Sequence, residues 1–152
     1  MSDYQGFICD PVPDHPGWLT WSITDPELFN GAVMGQLIAR TESDRTVRVR
    51  MLETARHHGN AHGNLHGGVT LSLIDISFFA AVHFLLNADA ASAVTLDVNT
   101  QFIGAARIGM PVDAVCEVMK ETGRLVFLRG TVEQDGATTA SFMGTVRKLP
   151  RK

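Results

Sequence analysis

Cysteine is scarce: Cys9 and Cys116 are the two in 152 residues, and they form no CxxC pair. That is too few for a disulfide framework and fits a reducing compartment. No basic block exists either. Thirteen Lys and Arg face sixteen Asp and Glu, for a net charge of −3, and the cations are scattered. The electrostatic footprint of a nucleic-acid binder is therefore missing. No GxxxxGK[ST] run and no strand–GxGxxG–helix run occurs, which disfavours nucleotide-triphosphate and dinucleotide sites. No GxSxG elbow occurs, which disfavours a serine hydrolase. Residues 1–5 lack a basic segment leading into an apolar one, so no secretory signal is visible and a cytoplasmic location is expected.

What is present suits one folded unit. Apolar residues make up 45% and charged residues 19%, enough for a core and too little charge for a disordered chain. The expectation is a single domain over residues 1–152. Residues 69–86 are almost wholly apolar, close to the roughly 20 residues a membrane span requires. Asp75 stands near the centre of that run and His83 further on. A carboxylate at a bilayer centre costs roughly 3 kcal/mol, so a helix buried in a soluble core is the better reading and no membrane partner is expected.

Periodicity sets the order of elements. Pro11, Pro13, Pro16 and Gly17 break the early chain, and Trp18 and Trp21 follow as cover for a core edge. Thr24-Asp25-Pro26-Glu27 reads as a short helix start, ended by Asn30-Gly31. Residues 46–51 alternate polar and apolar, with Val47, Val49 and Met51 facing inward. After the apolar helix come four further strand patterns, 94–102, 112–121, 124–134 and 138–147. Asp135-Gly136 marks a hairpin between the last two. The tail, residues 149–152, is expected to fray. Consecutive strands with short turns imply an antiparallel sheet. One such sheet covers only part of a helix this apolar, and a second subunit is the natural cover for the rest.

The chemistry concentrates in His57-His58-Gly59-Asn60-Ala61-His62-Gly63-Asn64-Leu65-His66-Gly67-Gly68, which leads into the helix. The first N–H groups of a helix have no internal partner and sit at its positive end, a geometry that stabilises a developing oxyanion. The glycines let a ligand approach the backbone; they equally suit a plain tight turn. Asp75 has Leu71, Ser72, Phe78 and Phe79 one turn away. A carboxylate there needs a hydrogen bond or a pocket. A catalytic role and a structural bond to a strand hydroxyl both satisfy that need. Four histidines within ten residues invite a metal reading, but Gly59, Gly63 and Gly67 oppose a helix that would bring His62 and His66 together, and no Cys lies nearby. No metal and no cofactor is expected. Cys116, in an apolar strand pattern, reads as an inert thiol.

Asn60-x5-His66-Gly67-Gly68 with Asp75 downstream resembles the hotdog-fold acyl-CoA thioesterases of the PaaI-like type. Residues 92–97, the run Gln101-Phe102-Ile103-Gly104-Ala105-Ala106-Arg107-Ile108-Gly109, and Gly123-Arg124 opening a strand are similar to later parts of that family. The resemblance spans about 45–148, with residues 1–40 as an N-terminal extension packing on that core. It implies an α+β hotdog fold, a long central helix wrapped by an antiparallel sheet of about five or six strands. It implies sheets joined edge to edge in a homodimer or a homotetramer of such dimers, with sites at the dimer interface. By the same resemblance Asp75 is general base or nucleophile, and the Gly67 N–H polarises the thioester carbonyl. Asn60, from the subunit opposite the Asp, positions the reacting groups; His66 shapes the loop; Thr95 assists water. Gly68, Phe79, Arg107 and Arg124 are expected at the acyl-CoA substrate, with Lys120 and Arg129 as further phosphate candidates. The implied activity is hydrolysis of a fatty- or aryl-acyl-CoA. A non-catalytic acyl-CoA binder and a hotdog hydratase or dehydratase are the alternatives.

Overall fold

A computed structural model of the protein describes residues 6–149. The start of the chain read for a signal lies outside them, as do the last three residues of the tail. Leu149 is tied down, its N–H donating to the Ser92 carbonyl at 2.7 Å.

The five strand patterns all form strands: β5 (Thr46–Met51), β6 (Ala93–Phe102), β7 (Val112–Glu121), β8 (Leu125–Gln134) and β9 (Ala137–Lys148). They are neighbours in one antiparallel sheet that also contains β2 (Leu19–Thr20) and β4 (Leu37–Thr41), in the order β2-β4-β5-β7-β8-β9-β6. The β8–β9 hairpin turns at Asp135 and Gly136, both at positive φ (51° and 77°), the turn that matches strand twist. Two strands beyond the expected five come from the N-terminal segment. That segment therefore extends the sheet as well as packing on it, because Leu37-Ile38-Ala39 lies fully buried beside β5. A separate two-stranded piece pairs β1 (Phe7–Ile8) with β3 (Ser22–Ile23).

One local expectation is overturned. The helical turn expected from Thr24 does not end at Asn30-Gly31; a five-residue π-helical turn, Asn30–Met34, begins there. Asp25 caps only a short turn, accepting from the Glu27 N–H at 2.9 Å. Gly31 is what permits the arrangement. A Cβ there would lie 2.3 Å from the Pro26 carbonyl oxygen, so the two backbones touch as only glycine allows.

The helix α1 (Gly67–Leu86) starts at the glycine pair and stops at Asn87, whose left-handed conformation (φ 47°) closes the last turn. Among the described residues it is the one helix long and apolar enough to cross a membrane. Here it packs on the sheet, with Leu73, Ile74, Phe78 and Val82 fully buried. The half of it left unburied carries Leu71, 40% exposed. Cys116 is enclosed beneath this helix, and burial pushes its thiol up to about 12, as an inert cysteine requires. On the opposite face of the sheet Asp113 receives both Arg48 and Arg50, whose guanidinium is held above its usual pKa chiefly by that bond. Trp18 lies under Arg40 and Arg50, 4.6 and 4.8 Å from ring centre to guanidinium carbon.

Two glycines permit close packing, Gly144 between sheet and helix and Gly130 between neighbouring strands. At Gly144 a Cβ would meet the Phe78 ring at 2.5 Å, and at Gly130 it would lie 2.0 Å from the Val115 carbonyl oxygen. Gly130→Ala must shift a strand, and overpacking of this kind costs about 1–3 kcal/mol or more. A lowered urea midpoint with unchanged slope is the expected reading.

Candidate active site

Two sets of groups stand out, and they line different cavities. The first is built around Asp75. Thr95 Oγ1 donates to Asp75 Oδ1 at 2.6 Å, so the strand hydroxyl that could answer the buried acid is there. A register shift in β6 between Thr95 and Asp97 leaves Leu96 as the extra residue, beside the threonine that meets the acid. Asp75 Oδ2 has no hydrogen-bond partner among the described residues. The carboxylate is half-buried and lines two cavities, of about 250 and 410 Å³, which share Asn30, Asp75 and Ile76. An acid held by one oxygen and open at the other can take a proton from water or attack a carbonyl.

The second set lies at the N-terminus of α1. His66 is the cap: its Nδ1 accepts from the Gly68 N–H at 2.8 Å, which puts the ring proton of the neutral imidazole on Nε2. The cap consumes the Gly68 N–H. The Gly67 N–H has no acceptor among the described residues and sits at the positive end of the helix. Asn60 Oδ1 accepts from the His62 and Asn64 N–H groups at 2.9 and 3.1 Å. Its Nδ2 is left as a donor with no partner among the described residues. Asn60 and Gly67 line a common cavity of about 170 Å³, with Phe102 and Ala105 among the other walls. Two unspent N–H donors on one wall suit an oxygen that gains negative charge.

Buried polar residues hold this loop: His58, which the sequence offered only as one of four clustered histidines, and Gln134, which pattern reading did not single out. His58 accepts from the Ala55 N–H at 2.8 Å and its Nε2 contacts the Val33 carbonyl at 2.6 Å, while its own carbonyl accepts from the His66 N–H. Gln134 brackets Arg107, accepting from its N–H at 2.6 Å and donating to its carbonyl at 2.9 Å. The strip it fixes in turn binds the loop, the Leu65 N–H donating to the Ala106 carbonyl. His58 and His66 are thus spent on backbone groups. No cluster of three or more His, Cys, Asp or Glu side chains forms among the described residues.

The remaining expected residues divide. Phe79 lines the smaller Asp75 cavity. Phe78 is core, packed on Phe142. Arg107 flanks the loop, bridged to Asn64 through the backbone, with its side chain reaching Asp135 at 3.5 Å. Arg124 is exposed, its carbonyl held by the Lys148 N–H, and it lines none of the cavities around Asp75, Asn60 or Gly67. Phe7, Trp21, Ile23 and Asn30 of the N-terminal segment line the smaller cavity together with the acid. The proline breaks and weak periodicity there hid them.

A long apolar helix laid on an antiparallel sheet, with a capped glycine pair at its start and an acid on its flank, is the hotdog architecture. The chain belongs to the thioesterase superfamily, whose family model matches residues 62–141. Among solved structures it is similar to the conserved protein PA5202 of Pseudomonas aeruginosa, at 28% identity over 68% of this chain and 81% of that one, with a TM-score of 0.60. It is similar to a mutant of the phenylacetic acid degradation protein PaaI from Thermus thermophilus, at 26% identity over 82% and 100%, TM-score 0.64. Zebra fish thioesterase superfamily member 2 shares the fold at 23% identity over 78% and 85%, TM-score 0.66. No match is found among curated proteins.

Proposed function

We propose that this protein hydrolyses an acyl-CoA thioester to the free acid and coenzyme A. One observation carries the reading: an acid with a free carboxylate oxygen and a pair of unspent N–H donors, on a chain of the thioesterase superfamily. Asp75 is the base or nucleophile, held by Thr95. The Gly67 N–H and Asn60 Nδ2 receive the carbonyl oxygen as it becomes an oxyanion. His66 keeps the loop in shape. Each oxyanion donor of this kind is worth about 2.7–4 kcal/mol in comparable enzymes.

The two sets do not meet within one chain. Gly67 and Asp75 are eight residues apart, about 12 Å of helical rise at ~1.5 Å per residue. One carbonyl must lie within about 3 Å of both donor and attacking atom. The reading therefore requires two chains, with Asp75 of one facing Asn60 and Gly67 of the other. The edge of the sheet suits such a partner. β6 is a ten-residue terminal strand with one side unpaired, and Leu96 and Phe102 along it are 53% and 55% exposed. A long open apolar edge is normally covered. The same contact offers cover for the exposed flank of α1. Arg107 is the coenzyme A phosphate candidate adjoining the donor set.

The direct test is thiol release from a range of acyl-CoAs by the purified protein. Appearance of free thiol at a rate proportional to enzyme supports the proposal. Tight acyl-CoA binding with no thiol release favours the non-catalytic binder instead.

A further inference from the structure

We infer that Thr70 is a third hydrogen-bond donor to the carbonyl oxygen of the bound thioester, beside the Gly67 N–H and Asn60 Nδ2. The inference rests on the thioesterase reading and adds a catalytic residue to it. Thr70 is 6% exposed and lines the same cavity as Asn60 and Gly67. Its hydroxyl has no hydrogen-bond partner among the described residues.

A buried hydroxyl normally finds a partner, and in a helix the usual one is a carbonyl three or four residues back. The other two hydroxyls of α1 follow that habit: Ser72 donates to the Gly68 carbonyl at 2.8 Å and Ser77 to the Ile74 carbonyl at 2.6 Å. Thr70 lacks that outlet. The carbonyl four residues back belongs to His66, and it already accepts the Val69 N–H at 3.0 Å and the Thr70 N–H at 3.2 Å. Nor is the oxygen sealed. Among the described residues Thr100 Oγ1 is the hydroxyl oxygen that is both unbonded and fully enclosed; Thr70 Oγ1 keeps an open side.

Helix geometry brings that oxygen to the donor set. Thr70 follows Gly67 by three residues, on the same face and about 4.5 Å further along the axis at ~1.5 Å per residue. Side chains of a helix lean toward its N-terminus. The Thr70 side chain therefore leans over the turn that Gly67 opens, toward the end where the free N–H groups lie. An oxygen resting on the Gly67 N–H has the hydroxyl on its helix side and the Asn60 amide on its loop side. The surroundings strengthen these bonds. Leu65 and Ala106 in the wall are buried, and the Phe102 ring lies against Gly67, where a Cβ would meet it at 3.3 Å. The donated bond grows stronger as the carbonyl oxygen gains negative charge, so it lowers the barrier more than it tightens substrate binding. The proton stays on the hydroxyl throughout, and Asp75 remains the base or nucleophile.

The test measures kcat, KM and the urea midpoint for wild type, Thr70→Val and Thr70→Ser, with acetyl-, octanoyl- and phenylacetyl-CoA as substrates. Thr70→Val keeps the shape and removes the hydroxyl; it should lower kcat by about a hundredfold and leave KM within about threefold. Its urea midpoint should hold or rise, because an unpaired buried polar group is deleted. Thr70→Ser keeps the hydroxyl and should regain about tenfold or more in kcat over Thr70→Val. A kcat that falls less than about fivefold, a change in KM alone, a lowered midpoint in Thr70→Val, or a serine variant no better than the valine one overturns the inference and leaves the hydrolase reading standing. If no acyl-CoA is hydrolysed, calorimetry with two analogues tests the hydroxyl by itself. One is octanoyl-CoA with the ester sulfur replaced by a methylene group, which keeps the carbonyl; the other is S-octyl-CoA, which lacks it. Binding of the first weakened about fivefold or more by Thr70→Val, with the second unchanged, supports the donor. Equal effects on both, no effect on either, or no binding at all overturns it.

Discussion

Asp75→Ala is expected to abolish thioester hydrolysis while leaving the fold in place. General-base assistance is typically worth 10²–10⁴-fold, and loss of a covalent nucleophile costs at least as much, so kcat/KM should fall by about that factor or more. The fold should survive because the carboxylate is half-buried and its one side-chain partner is Thr95. Asp75→Asn provides the isosteric control: it keeps an oxygen for Thr95 and removes the basic group. Wild-type turnover in either variant would falsify the assignment of the base. A single turnover in oxygen-18 water then tests for direct attack by the carboxylate. Label found in the Asp75 carboxylate means attack through an anhydride opened at the aspartyl carbonyl; label found only in the product acid means water attacked the acyl carbon, of the thioester or of the anhydride.

The second large effect concerns the pairing of chains. Asp75→Ala and Asn60→Asp should each be inactive alone, and a mixture allowed to exchange subunits should regain activity. Asn60→Asp is chosen because it keeps an acceptor for the His62 and Asn64 N–H groups while removing the Nδ2 donor. In a mixed dimer one site receives both altered residues and the other receives neither. Half the dimers are mixed at random exchange, and half of their sites are intact, so about a quarter of wild-type activity should return. A site confined to one chain gives no recovery in the same mixture. The experiment thus checks the 12 Å argument, which rests on the rise per residue of an α-helix, independently of any substrate preference.

The sequence carried a good part of this protein in local form. Residues 46–51 and the four later strands were legible because each has a period-two pattern or a turn signal of its own, Asp135-Gly136 above all. The start of α1 was legible in Gly67-Gly68, and Asp75 was marked by its misfit among apolar neighbours. The N-terminal segment was not legible. Its strands β2 and β4 are short and its proline-broken run reads as irregular; β2 is a strand only because it pairs with β4, Leu19 opposite Ala39, and β4 because it forms a hairpin with β5, Thr41 opposite Val47. The π-helical turn at Asn30 depends on the Pro26 carbonyl lying against Gly31, a contact no local pattern encodes.

The site divides along the same line. Residue type and spacing alone determined which groups can do chemistry: an acid, an amide, a histidine and a glycine pair, because ionisation and hydrogen-bonding capacity belong to the side chain and backbone themselves. Tertiary structure alone decided which of them are free to act. It left the Gly67 N–H unspent; it tied Asp75 by one oxygen to Thr95; and it brought Phe7 and Trp21 to a helix more than fifty residues away. Those outcomes depend on distance and competition among neighbours, which exist only once the chain has closed on itself.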